Sequence, residues 1–192
     1  MKKTLAGIVA ANLVAAASAG TTIVVSVGES RFVAEIEDSD TGKAFIEKLP
    51  LTLNMSELNG NEKYCYGVSL PTKSVYCSTI AAGDLMLYGS NCVVLFYGSA
   101  GGYSYTRIGK FESTEGLAAA LGSGAAKVTF AKAEVKANIE MKGGKPVVSA
   151  ETNMPSATSF TVLGATELVN PEWTEVAETE SSDYRFFKVA TK

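Results

Sequence analysis

In the segment Tyr103-Ser104-Tyr105-Thr106-Arg107-Ile108, two phenols and a guanidinium recur at every second position. Residues two apart share one face of a strand, so this spacing lines the three up. A fixed guanidinium can donate to a carboxylate or a peptide carbonyl while the rings beside it form an apolar wall. On a plain solvated face the same arginine would stack on a tyrosine instead. Tyr64 and Tyr66 are spaced in the same way and are candidates for the same cavity, although an amphipathic strand face accounts for them as well. Carboxylates also come in pairs, Glu35 with Glu37 and Glu57 with Glu62. Two residues of strand separate a pair by about 6.6 Å, a spacing that suits an inverting glycosidase, but exposed strand carboxylates are commonly just solvated. Gly98-Ser99-Ala100-Gly101-Gly102 has neither the Lys-Ser/Thr ending nor the following helix of a phosphate-binding loop. It reads as an adaptable loop over a ligand site.

Much chemistry is excluded at once. The chain has no histidine, which removes the commonest general base, zinc ligand and pH switch. Cys65, Cys77 and Cys92 are spaced too widely for a zinc ribbon, and a cysteine nucleophile would lack its usual base. Neither a metal nor a cofactor is expected, and Arg107 is the one catalytic candidate. Cys65 and Cys92 sit in apolar, strand-like runs; Cys77 lies in a turn-like stretch and is expected to be the most exposed thiol. One disulfide with one free thiol, or three reduced and buried thiols, both fit this pattern.

Composition sets the frame. Of 192 residues, 46% are apolar and 19% charged, which excludes intrinsic disorder, and the 18 glycines have no three-residue period. The net charge is −3 with no strongly basic stretch, so no nucleic-acid partner is expected. Lys2 and Lys3 precede an uncharged apolar run over residues 5–17, and Ala17-Ser18-Ala19 fits the small-x-small rule of signal peptidase. The run is alanine-rich and shorter than the ~20 strongly apolar residues of a membrane span. Residues 1–19 are therefore expected to be a cleaved bacterial signal peptide, leaving no transmembrane segment. The mature protein would be periplasmic, secreted or on the cell surface.

The elements that must position these residues are mostly strands. Strands are expected over residues 21–27, 29–37, 51–55, 63–68, 84–88, 92–97, 103–108 and 126–130, with Phe32, Ala34 and Ile36 sharing one face. Ser39-Asp40-Thr41 can cap a helix that Pro50 stops, and a second helix fits residues 116–121 before Gly122. Short strands at this spacing with two small helices predict a closed β-barrel with plugged ends. Beyond Phe130, residues 132–141 alternate cleanly into a Lys142-Gly143-Gly144-Lys145 hairpin. Further strands are expected at 160–163, 174–177 and 184–190, with Trp173, Phe186 and Phe187 as their core.

Three segments then carry a resemblance: residues 49–63 (LPLTLNMSELNGNEK), residues 82–97 (AGDLMLYGSNCVVLFY), and Ser104-Tyr105-Thr106-Arg107-Ile108-Gly109-Lys110 with Glu115-Gly116-Leu117. In order and spacing they resemble the bacterial cyclophilin-like fold domains, small secreted or flavodoxin-fused modules, across roughly residues 21–131. The resemblance implies an eight-stranded barrel capped by helices. It does not imply prolyl isomerase activity. Residues 105–109 are loosely similar to the arginine strand of true cyclophilins, but their glutamine and their Gly-Gly-Asp segment have no counterpart here. Gly83-Asp84 reads better as a turn entering a strand. Fold alone does not carry function.

The sequence thus predicts a mostly β protein. A signal peptide (1–19) precedes a closed cyclophilin-like β-barrel with two short helices (20–131) and a small β-rich C-terminal module (132–192). The expected function is non-catalytic binding of a peptide segment or small molecule at the barrel face, by Arg107, Tyr105, Tyr103 and Tyr64. The alternatives are a secreted peptidyl-prolyl cis–trans isomerase and a structural or cell-surface interaction module.

Overall fold

The computed structural model describes residues 20–142, 145–155, 160–165, 174–176 and 186–191, with side chains described for 20–136 and 151–155. The expected signal peptide and Trp173 lie outside the described residues, as do the side chains of Phe186 and Phe187. Among the described residues no helix is long and apolar enough to cross a membrane. Residues 20–133 form one compact unit, and the described residues from Glu134 onward belong to a second.

In the first unit β1 (Thr21–Val27) turns at Gly28, in the left-handed region with φ of 57°, into β2 (Ser30–Ile36). Phe32, Ala34 and Ile36 are all buried, as alternation requires. Helix α1 (Asp40–Glu47) starts where Ser39 Oγ accepts the Gly42 amide at 3.1 Å. That is one of the orphan donors a helix start leaves open. β3 (Leu51–Leu58), β4 (Glu62–Tyr66), β5 (Val75–Cys77), β6 (Asp84–Tyr88), β7 (Cys92–Phe96) and β8 (Tyr103–Phe111) follow. Helix α2 (Leu117–Leu121) leads into β9 (Ala126–Lys132). The strand order is β2-β1-β9-β3-β4-β7-β6-β8, and antiparallel pairing of β2 with β8 closes it into an eight-stranded barrel. β5 adds to the start of β8 outside this ring, pairing Cys77 with Tyr103 and Val75 with Tyr105.

The barrel interior is a single apolar cluster to which both helices contribute. Phe45 of α1 is fully buried edge-on against Phe130 of β9, with ring centroids 5.4 Å apart. Leu117 and Leu121 of α2 join the same cluster. A second cluster joins outward positions of β6, β7 and β8 (Met86, Cys92, Val94, Phe96 and Tyr105) to Cys77 of β5 and Ile80 beyond it. All of β7 is therefore buried, on both faces.

β5 corrects one expectation. A three-residue strand carries no pattern of its own; Val75–Cys77 is extended because β8 offers it a free edge. Cys77 is consequently buried, while Cys65 is the most accessible of the three cysteines, all of which are free thiols. In the second unit β10 (Val135–Lys142) and β11 (Lys145–Thr152) form the expected hairpin, pairing Lys142 with Lys145. β12 (Phe160–Ala165) lies between β13 (Thr174–Val176) and β14 (Phe186–Thr191).

The barrel seam is tight at Gly109. A Cβ there would lie 2.4 Å from the Glu35 carbonyl oxygen and 3.1 Å from Ile36 Cα, both backbone atoms of β2. Gly109→Ala must push β2 and β8 apart. It is expected to destabilise the barrel by about 1–3 kcal/mol, as overpacking does, read as a lowered urea midpoint with an unchanged m-value.

Candidate functional site

Alternation along β4 creates the site. Lys63 and Cys65 face the barrel interior, and Glu62, Tyr64 and Tyr66 face out. The outward residues of β4 form one wall of a cleft of about 490 Å³. Cys92, Val94 and Phe96 of β7 lie along it, with Tyr88 of β6 and Tyr103 and Tyr105 of β8 opposite. Leu58, Asn59 and Asn61 close one end, and Ala100 and Gly101 another side. The rings pack edge to face or tilted: Tyr64 with Tyr66 at 5.9 Å, Phe96 with Tyr105 at 5.6 Å, and Tyr88 with Tyr105 at 5.6 Å. An aromatic concavity holding a few convergent polar groups is the usual form of a ligand site.

The polar groups are unusual. Glu62 is only 7% exposed. Burial, and then the negative charge of Glu57, push its carboxyl above the ordinary glutamate value. Burial, and then the Glu62 charge, push the Tyr105 hydroxyl up to about 12, so the carboxylate and this phenol sense each other across the cleft. Asn61 donates from Nδ2 to Ser99 O at 2.9 Å and keeps Oδ1 buried with no hydrogen-bond partner. Burial also pushes the Cys92 thiol up, which keeps it protonated and poorly nucleophilic.

What holds β4 in this register lies on its inner face. Lys63 is completely buried, and its Nζ donates to Glu57 Oε2, to Gly122 O at 2.8 Å and to Gly124 O. Glu57 sits directly across from it on β3. The carboxylate also accepts from the Tyr97 hydroxyl at 2.7 Å and from the Gly60 amide at 2.9 Å. Burial alone would raise Glu57; the bonds from Lys63, Tyr97 and Gly60 outweigh it and hold the carboxyl below its ordinary value. Tyr97 moves the other way, to about 12, through burial and its bond to Glu57. This network joins the β3–β4 hairpin to the turn after α2.

Tyr64, Tyr103 and Tyr105 are thus brought together, and Tyr66 with them. Arg107 is not among the cleft-lining residues. Its side chain is 41% exposed, with Nη1 3.8 Å from Oδ1 of the buried Asp84, whose Oδ2 accepts the Ala81 amide at 2.9 Å. The segment 98–102 is more constrained than its glycines suggest. Ala100 exchanges backbone bonds with Ile80 at 2.8 and 3.0 Å, and Gly102 N bonds Cys77 O at 2.9 Å. A Cβ on Gly101 would stand 2.3 Å from Ser78 O, so glycine here serves close approach. Glu35 and Glu37 lie away from the aromatic cleft, beside Gly109 and Lys110. Among the described residues no group of three or more His, Cys, Asp or Glu could hold a metal. The pair Glu57 and Glu62 is split by the sheet, one bonded inside and the other bare outside. Sequence reasoning missed Tyr88, Phe96 and Val94; the signal was there in the five unbroken apolar residues of β7, which imply cover on both faces.

Compared with known families, residues 25–131 match a family model described as the cyclophilin-like family. No curated protein matches the chain, and no solved structure does.

Lys63→Met strips Glu57 of its cation. Breaking a buried pair from one side typically costs about 3–5 kcal/mol; Glu57 reaches some water, so about 2–4 kcal/mol is expected in urea unfolding at pH 7. Glu57 is depressed in the folded state. The stabilisation it provides is complete above the ordinary glutamate range and is lost as pH falls through the lowered value. The gap between wild type and Lys63→Met is therefore expected to narrow on acidification below about pH 4.5; a gap independent of pH would contradict this assignment.

Proposed function

We propose that this chain, which belongs to the cyclophilin-like family, binds a peptide segment or small ligand in the aromatic cleft on the outer wall of its barrel. One observation carries the reading. Of the six large apolar side chains left exposed among the described residues, Leu58, Tyr66, Tyr88 and Tyr103 line the same cleft, and only Val75 and Tyr76 of β5 do not. Exposed apolar surface gathered in a concavity with buried polar atoms is the mark of a recognition site rather than of scattered surface residues. Tyr64 and Tyr105 form its inner wall. Arg107 follows Tyr105 two positions along β8, so an extended ligand leaving the cleft along that strand would meet the guanidinium about 7 Å further on.

The reading is of binding without catalysis. Prolyl isomerisation on the cyclophilin pattern needs a guanidinium at the proline nitrogen, within an apolar pocket. The cleft offers the apolar pocket, and Arg107 stands outside its lining against Asp84. The reading also includes export, supported by Lys2, Lys3, the apolar run over residues 5–17 and Ala17-Ser18-Ala19.

Tyr66→Ala and Tyr103→Ala remove side chains that are 60% and 63% exposed, so the fold is expected to persist. Each is expected to weaken binding of short peptides, followed by ring-proton shifts in NMR, by about two- to tenfold, the range of one aromatic contact. Unchanged affinity in both variants would overturn the cleft as the binding site. A protease-coupled prolyl peptide assay is expected to run at the uncatalysed rate; a faster rate abolished by Arg107→Ala would make the protein an isomerase. Protein recovered from outside the producing cytoplasm is expected to have a mass beginning at Gly20.

A further inference from the structure

Among the described residues Glu62 is the one acidic side chain lining the cleft, and no basic side chain lines it. Among the described residues its carboxylate has neither a hydrogen bond nor an ion pair, although it is more than nine-tenths buried. Its neighbour in the chain, Lys63, points to the opposite face of β4 and is used up by Glu57, Gly122 and Gly124. Burying an ionisable group with no partner is costly, and folded proteins rarely retain one without a use. Beside this partly hydrated carboxylate, Asn61 Oδ1, in the residue before Glu62, is a buried acceptor with no hydrogen-bond partner among the described residues. Tyr64, Tyr66, Tyr103 and Tyr105 line the same cleft. Aromatic faces carry negative potential and attract cations.

We propose that the cleft selects an organic cation, an alkylammonium or guanidinium group on an apolar stem, held between the tyrosine rings with its charge against Glu62. The inference rests on the reading of the cleft as a ligand site and specifies what that site recognises. An anionic ligand meets a bare carboxylate and no compensating cation. A neutral apolar ligand would seal Glu62 away from its remaining water and give it nothing in return. A cation supplies the missing partner, while Leu58, Val94 and Phe96 receive the stem. The same chemistry is offered by a lysine or arginine side chain in a peptide and by a free amine.

The test is an NMR titration of the purified protein with four probes: acetyl-Ala-Lys-Ala-amide, the same peptide with norleucine or with glutamate in place of lysine, and n-butylammonium. The lysine peptide is expected to bind at least about tenfold more tightly than the norleucine peptide, the usual scale of a charge-assisted hydrogen bond. The glutamate peptide is expected not to bind. Glu62→Gln, which keeps the shape and removes the charge, is expected to erase the lysine preference, weakening the lysine peptide and tightening the norleucine peptide, which no longer has a charge to desolvate. Butylammonium binding with the same sensitivity to Glu62→Gln assigns the site to free amines as well, and binding of the lysine peptide alone assigns it to side chains. Equal affinity for lysine and norleucine, or a lysine preference that survives Glu62→Gln, overturns the cation assignment and leaves the cleft as a ligand site. Cleft resonances unmoved by every probe would remove both. Tyr103→Leu gives a second measure that does not touch the buried carboxylate: about a threefold or greater loss is expected for lysine and little for norleucine, as a cation–π contact predicts.

Discussion

A fully buried ammonium can exist in a barrel only if its charge and all its protons are matched, and Lys63 meets that condition with one carboxylate and two backbone carbonyls. The requirement fixes more than one contact. Glu57 must lie across from it on β3, and the turn at Gly122 and Gly124 must close over the barrel end. The period of a strand is two, so pinning Lys63 inward pins Glu62 and Tyr64 outward. A one-residue slip of β4 would bury Glu62 in the apolar interior and strand Lys63 on the surface. The wall of the cleft is thus held in register by an ion pair on the far side of the sheet.

The two glutamates five residues apart show how environment divides like side chains. Glu57 accepts bonds from Lys63, Tyr97 and Gly60 and sits below its ordinary pKa; Glu62, with none, sits above it, raised partly by Glu57 itself. Tyr97 and Tyr105 are both driven to about 12, the first mostly by burial and its bond to Glu57, the second by burial and the unbonded charge of Glu62. One carboxylate belongs to the architecture. The other has been left without a partner by that architecture, which is the usual condition of a group that meets a ligand.

Most of the barrel was legible because its signals are local. β1 follows a β-branched run and β2 a clean alternation, and α1 begins on Ser39 and ends ahead of Pro50 as cap chemistry dictates. What escaped depends on tertiary partners. β5 is a strand only because β8 has an open edge at Tyr103–Tyr105, and that pairing buries Cys77 against local appearances. Four tyrosines of the cleft were legible for the same reason as the strands: Tyr64 and Tyr66, and Tyr103 and Tyr105, alternate. Arg107 also alternates with them, but a shared face does not fix a shared cavity, and Asp84, brought alongside by β6, holds the guanidinium at the margin. The role of Glu62 was illegible locally, because nothing in its sequence neighbourhood says that Lys63 is spoken for from within.

The tethering of residues 98–102 has a kinetic meaning. Ser99 is held by Asn61, Ala100 by Ile80 and Gly102 by Cys77, so the rim of the cleft is built before any guest arrives. Little ordering entropy is left to be lost on encounter, and no closing motion stands between collision and docking. Under the proposed function, such a rim would discriminate as a rigid mould does, by rejecting at first contact what does not fit.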